Sequence, residues 1–213
     1  MAKILIVDDH PLVRAGFSQL ISDTADLEVC GEAGDMAAAL TLLDSITPDL
    51  AIIDLSLAGS SGMDLIEHIK ARNSDILILV ASMHDESLYA ERVLALGARG
   101  YINKQEAQEK IIPAIRQVLG GKVYLSEHMT DSILNHMVSG TDDKYGINAL
   151  SNRELQVFEM IGQGIAPGKM AKQLNLSVKT IETHQAHIKK KLGLTSAHKL
   201  THRAIRWVLE QGR

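Results

Sequence analysis

Along the first 120 residues, short aliphatic runs alternate with longer stretches whose apolar positions recur every three to four residues. The runs are Ile4–Val7, Leu27–Cys30, Leu50–Ile53, Ile76–Ala81 and the shorter Arg99–Ile102. Three of them are continuously apolar rather than alternating, as expected of parallel strands covered on both faces. Helical periodicity runs through Leu12–Ser22, Ala37–Ser45, Met63–Arg72, Ser87–Leu96 and Ala107–Leu119. Five strand–helix repeats predict a doubly wound α/β unit with a five-stranded parallel sheet. Gly120-Gly121 ends the last helix, and Glu127–Val138 predicts an isolated helix with Ser126 as its N-cap. The stretch SGTDDKYGIN (139–148) is polar and turn-rich, with no apolar period, and predicts a linker. From Leu150 onward there is only helical period, in Asn152–Ile161, Gly168–Leu174, Val178–Leu192 and Ala197–Leu209. The expected organisation is an α/β domain over 1–121, a helix and linker over 122–148, and an all-α domain over 149–213.

Charge sharpens this division. Residues 1–120 hold 9 Lys and Arg against 18 Asp and Glu, whereas residues 150–213 hold 11 Lys and Arg against 4 Glu and no Asp. Net charges of −9 and +7 suggest an acidic module joined to one that binds nucleic acid. Aromatic residues make up only 3% of the chain, so aliphatic side chains must fill the core. Cys30 is the only cysteine, which excludes an intrachain disulfide and fits a reducing compartment. The first apolar run, Ile4 to Val7, meets two carboxylates and is too short for a signal peptide. No run approaches membrane-spanning length, so a cytosolic location is expected.

In a doubly wound sheet, functional groups gather at the carboxyl ends of the strands. Asp8 and Asp9 close the first strand, Asp54 the third and Ser82 the fourth, and Lys104 follows the fifth. Taken singly, such aspartates could be helix caps. Three brought together repel one another, and a hard divalent cation relieves that repulsion. A lysine beside them can neutralise a phosphoryl group, and a serine can donate to it.

The segments VDDH, IIDLSLAGSSGMDL, ASMHDE and GARGYINK resemble the receiver (CheY-like) domain of bacterial two-component response regulators over residues 1 to about 120. The resemblance implies that Asp54 is the phosphoacceptor, and that Asp8, Asp9 and the Ser56 carbonyl join Asp54 in holding Mg²⁺. It implies that Ser82 and Tyr101 form a switch pair, the hydroxyl moving to the phosphoryl group as the ring turns inward, and that Lys104 is the charge partner. It also places Ser56 and His84 beside the approach of an attacking water. One departure is Ala58, where receivers usually have proline, which is expected to leave the 58–62 loop more mobile. A haloacid-dehalogenase-like phosphatase also uses a strand-end aspartate, but it needs a second carboxylate two residues on, where this chain has Ser56.

In the basic half, a short helix, a tight turn at Asn175-Leu176-Ser177 and a longer helix from Val178 make a helix-turn-helix layout. At about 100° per residue, Ile181, His184, Ile188 and Leu192 share an inner face. Lys179, Glu182, Thr183, Ala186, His187 and Lys190 face the opposite way, free to enter a major groove. Lys179, Thr180, His187 and Lys189 to Lys191 suit phosphate contacts. Glu182 and Thr183 suit base edges. Taken alone, the lysine run 189–191 reads as a solvated helix end complementing the dipole. His184 reads as a packed histidine, and no cysteine lies near enough to suggest zinc.

Residues 150–194, from LSNRELQVFEMIGQG to IKKKLGL, resemble the LuxR-type helix-turn-helix of the NarL/FixJ response regulators. The DNA-contact set expected from this is Lys169, Lys179, Thr180, Glu182, Thr183, Ala186, His187 and Lys190. Ala166-Pro167-Gly168, Gln185 and Ala186 depart from the usual pattern, so an operator sequence does not carry over. The two resemblances together imply a regulator phosphorylated by a partner sensor histidine kinase, binding double-stranded operator DNA as a homodimer when phosphorylated. It would not be an enzyme beyond Mg²⁺-assisted phosphoryl acceptance and slow loss of the phosphate. An adaptor that no longer binds DNA is the alternative, against which the +7 of the second half argues.

Overall fold

The computed structural model describes residues 1–73, 75–139, 146–174 and 176–211. The chain divides into two compact units, Met1–Asn135 and His136–Arg213.

In the first unit, β1 (Ala2–Val7), β2 (Leu27–Ala33) and β3 (Leu50–Ile53) are followed by two short strands, β4 (Ser56–Leu57) and β5 (Ser60–Ser61), then β6 (Leu77–Ser82) and β7 (Gly100–Asn103). The main sheet is wholly parallel in the order β2-β1-β3-β6-β7. The order reverses between β1 and β3, which opens a crevice at their carboxyl ends. Ile4 to Val7 and Leu50 to Ile53 are buried throughout, as their unbroken apolar runs require. Helices α1 (Pro11–Ser22), α2 (Met36–Leu43), α3 (Gly62–Arg72), α4 (Glu86–Ala95) and α5 (Ala107–Leu119) alternate with the strands. Asp35 and Asp85 cap α2 and α4 through their side chains.

Two details depart from the sequence reading. Strand β2 runs three residues past Cys30, because a register shift between Ile4 and Leu5 absorbs a bulge and resumes pairing at Gly31. The loop after Asp54 is closed by the antiparallel pairs Ser56–Ser61 and Leu57–Ser60, turned at Gly59 with φ +73°.

Helix α6 (Glu127–Ser139) was expected to stand alone, yet its first turns pack on the first unit, where Met129 is buried. The division between the units falls inside this helix. The expected linker 139–148 lies mostly outside the described residues, as does Asn175 of the expected turn. Gly146–Ala149 forms a 3-10 turn.

The second unit comprises α7 (Asn152–Gly162), α8 (Pro167–Gln173), α9 (Val178–Lys191) and α10 (Ala197–Gln211). Leu155, Phe158, Ile181, Ile188, Leu200 and Ala204 form its core, and the Phe158 and Trp207 rings meet at 5.6 Å. Pro167 opens α8 at a position where its missing N–H costs nothing.

Candidate functional site

The ends of β1, β3, β6 and β7 deliver polar side chains to the crevice. The Asp54 N–H donates to the Val7 carbonyl and the Asp8 N–H to the Ala33 carbonyl, so backbone ladders carry both carboxylates into place. The Lys104 N–H donates to the Ser82 carbonyl, which ties the lysine to the end of β6. Lys104 Nζ then reaches Asp8 Oδ2 at 2.6 Å and Asp54 Oδ2 at 2.7 Å. Asp8 and Asp54 are each only 2% exposed. Burial pushes the Asp54 carboxyl above its ordinary range; Lys104 opposes this, and the neighbouring Asp8 charge adds to it.

One ammonium serves two buried carboxylates, and Asp9 adds a third at the rim. Asp54 Oδ1 is buried and accepts no well-formed hydrogen bond, and the buried Asp9 Oδ1 has only the His10 ring beside it. Oxygens left this way are costly unless a cation or donor meets them. Ligand atoms of Asp8, Asp9, His10 and Asp54 lie within 4.8 Å of one another, a donor set able to hold a metal ion. His10 was not among the residues expected here; its ring sits 2.7 Å from Asp9 Oδ1 and 3.2 Å from Asp8 Oδ1. Asp8 also accepts from the His10 N–H in the turn ahead of α1, where no side chain caps the helix. The Ser56 hydroxyl turns from the cluster to His84 Nε2, at 2.9 Å.

Gly62 fixes the near approach of α3 to this site. A Cβ there would lie 2.0 Å from the Asp54 carbonyl oxygen, so only glycine fits.

Ser82 and Tyr101 are both buried, at 0% and 1% exposure. The Tyr101 hydroxyl donates to the His84 carbonyl at 2.8 Å, and burial pushes its pKa up. The ring of the expected switch residue Tyr101 therefore lies buried, with its hydroxyl held by the chain just ahead of α4.

The helical unit presents a second surface. The Ser177 side chain caps α9 by accepting from the Thr180 N–H. Ile181 and Ile188 are buried, and His184 and Leu192 are half-buried. Lys179, Glu182, Thr183, Ala186 and Lys190 are exposed on the opposite side, as is Lys169 on α8, while Thr180 is half-buried; His187 is exposed but lies toward α7, its Nδ1 3.7 Å from Glu154 Oε1. The Thr183 hydroxyl donates to the Lys179 carbonyl at 2.9 Å. Val178, exposed at the start of α9, was not singled out in the sequence.

The sequence reading counted Glu154 only as a match to the LuxR-type pattern, although Ser-x-x-Glu at 151–154 signals a capping box. The box forms, and the buried carboxylate also takes Lys191 Nζ at 2.6 Å. Lys191, expected at a phosphate, thus has a carboxylate partner on α7. Burial acts to raise the Glu154 pKa, but Lys191 and the Ser151 N–H outweigh it and hold the carboxyl below the usual range.

His184 Nδ1 is buried without a partner among the described residues, and burial depresses its pKa. The unfolded chain therefore binds the extra proton more readily than the folded one. Stability from this residue is complete above its ordinary value of about 6.5 and is lost as pH falls through it, by at most about 1.4 kcal/mol per pH unit. Glu154 contributes the same sign at lower pH. Calorimetry should show the helical unit melting lower at pH 5.5 than at pH 7.5, with the difference reduced in His184→Gln. An equal difference in both proteins would exclude His184 as the source.

Residues 4–116 match the family described as "Response regulator receiver domain", and residues 148–204 the family described as "Bacterial regulatory proteins, luxR family". The chain is 37% identical to the oxygen regulatory protein NreC of Staphylococcus carnosus over 212 residues, covering 96% of this chain and 97% of that protein. NreC of Staphylococcus aureus matches at the same identity and coverage. Among solved structures, RcsB of Salmonella enterica serovar Typhimurium, bound to the promoter P1flhDC with the phosphomimetic BeF3−, aligns with a TM-score of 0.72 at 27% identity. The alignment spans 95% of this chain and 98% of that one. A LuxR-family two-component response regulator from Aurantimonas aligns with a TM-score of 0.60 at 33% identity, over 65% of this chain and 99% of that one. Among the described residues no helix is long and apolar enough to cross a membrane.

Proposed function

Because the chain belongs to the two-component response regulators that join a receiver domain to a LuxR-type DNA-binding domain, we propose that Asp54 accepts a phosphoryl group from a sensor histidine kinase and that α9 reads operator DNA. The observation that carries this reading is the placement of Lys104 Nζ between Asp8 and Asp54 at the strand ends. An Asp54 oxygen attacks phosphorus as the P–N bond to the donor imidazole breaks, and the imidazole departs with the bonding electrons. Lys104, freed from a purely carboxylate environment, pairs with the new phosphoryl oxygens. Ser82 donates its hydroxyl to the same group. Asp8, Asp9, Asp54 and the Ser56 carbonyl would hold Mg²⁺, which would supply the remaining positive charge. The product carries nearly two negative charges where one stood. Ser56 and His84, hydrogen-bonded to each other, form one wall of the approach open to water and set how long the acyl phosphate lasts.

Lys169, Lys179, Thr180, His187 and Lys190 contact phosphates, and Glu182 and Thr183 reach base edges, with Ala186 in apolar contact beside them. RcsB is recorded on promoter DNA and as dimers on DNA. By analogy, this protein pairs when phosphorylated, on an operator with matching symmetry.

A titration of DNA binding against salt tests the placement of α9. Alanine at Lys179 and Lys190 should weaken binding to all sequences and reduce the salt slope by about 0.9 per lost contact. Thr183→Ala should instead change the ranking of sites, by about 1–3 kcal/mol at one base pair. Identical behaviour of both variants across a set of operators would show that another face meets the DNA.

A further inference from the structure

Strand β7 is an edge of the sheet, and its outer side would leave backbone groups of Arg99 and Tyr101 unpaired. Residues 122–126 cover it. The Tyr124 N–H donates to the Arg99 carbonyl and the Tyr101 N–H donates to the Tyr124 carbonyl, both at 2.9 Å. Gly100 permits this approach, since a Cβ there would meet Tyr124 O at 3.0 Å and Tyr124 Cβ at 3.1 Å. The segment is held from α5 as well, where the Gln117 side chain donates to the Val123 carbonyl.

The far end of the segment is tied to α4. Ser126 caps α6 by accepting from the Met129 N–H, and its own N–H donates to Glu86 Oε1 at 2.9 Å. In a capping box that second bond comes from a Glu or Gln three residues on. Here that position is Met129, and Glu86 from another helix takes the role. Glu86 stands two residues after His84, whose carbonyl holds the Tyr101 hydroxyl, and four after Ser82. The start of α6 is therefore bonded to the chain on both sides of the Ser82–Tyr101 pair, and α6 runs on into the second unit.

We propose that residues 122–126 are the output strut of the receiver. They convey the state of Asp54 to α6 through the Tyr101–Tyr124 backbone bond and the Glu86–Ser126 bond. Displacement of Ser82 and His84 shifts the first turn of α4, Glu86 carries the shift to Ser126, and the N-terminus of α6 is re-seated or released. Glu86 is a positioning residue in this scheme and touches no reacting atom.

The proposal rests on Asp54 being the phosphoacceptor, and one experiment separates the two claims. Full-length wild type, Glu86→Ala and Glu86→Gln are treated with acetyl phosphate and Mg²⁺. The aspartyl phosphate is quantified, and affinity is measured for a duplex that wild type selects from a random pool. All three should be labelled equally. Wild type should gain about 5- to 150-fold in affinity on labelling. The gain should shrink to within about twofold of unity in Glu86→Ala and persist in Glu86→Gln, whose amide oxygen still accepts from Ser126. Equal labelling with a full gain in Glu86→Ala overturns the strut. Absence of labelling in wild type overturns the phosphoacceptor reading, and the strut with it. A measurement on wild type alone guards against misfolding of a variant: amide exchange at Tyr101 and Ser126 should change when BeF3− and Mg²⁺ are added. Unchanged protection at both would also overturn the strut.

Discussion

Asp54→Asn should lose all Mg²⁺-dependent labelling by acetyl phosphate while keeping its fold. The amide is nearly isosteric with the carboxylate but is not a nucleophile toward phosphorus. Removing the charge should not lower the melting temperature of the first unit, because burial already disfavours the ionised carboxylate and Asp8 repels it. Asp9→Ala should reduce labelling by a different route, through loss of a metal ligand, and excess Mg²⁺ should partly restore it. Mass mapping after labelling decides the matter. Phosphate found on Asp54→Asn at wild-type stoichiometry, on another residue, would end the assignment of this site.

Gly162→Ala should dismantle the helical unit and abolish DNA binding without touching phosphoryl acceptance. An added Cβ would sit 2.4 Å from Val208 Cγ2 and 2.5 Å from the Ala204 carbonyl oxygen. The Val208 side chain can rotate away, but the carbonyl belongs to the backbone of α10. The strain must therefore separate α10 from α7, where Phe158 and Trp207 meet. Overpacking of a core commonly costs about 1–3 kcal/mol, and a backbone collision belongs at or above the top of that range. Circular dichroism and acetyl phosphate labelling on the same sample give the two readouts. A variant that binds DNA as wild type does would show that α7 and α10 can part at little cost.

The strands and the acidic site were legible because they rest on short-range signals. Unbroken apolar runs require burial on both faces, and Asp8, Asp54, Ser82 and Lys104 follow those runs directly in sequence. The recognition helix was legible for the same reason, since Ile181 and Ile188 mark its inner face and the rest follows from a fixed angle per residue. What escaped depends on partners distant in the chain. No local pattern could say that Tyr124 returns to pair with Arg99 and Tyr101, or that Glu86 caps a helix forty residues away. Lys191 read as a free cation because its partner, Glu154, is 37 residues upstream. The hairpin at 56–61 was hidden by its length, two residues a side, which leaves no periodicity to detect. The Tyr101 hydroxyl likewise finds its acceptor, the His84 carbonyl, 17 residues upstream.

The chain has one tryptophan, and it lies in the helical unit, 7% exposed against Phe158. Excitation selective for indole therefore illuminates that unit alone, while the receiver stays dark. The protein carries its own optical label: its emission can follow DNA binding, acid titration or melting of the reader in the intact chain, and no dye need be attached.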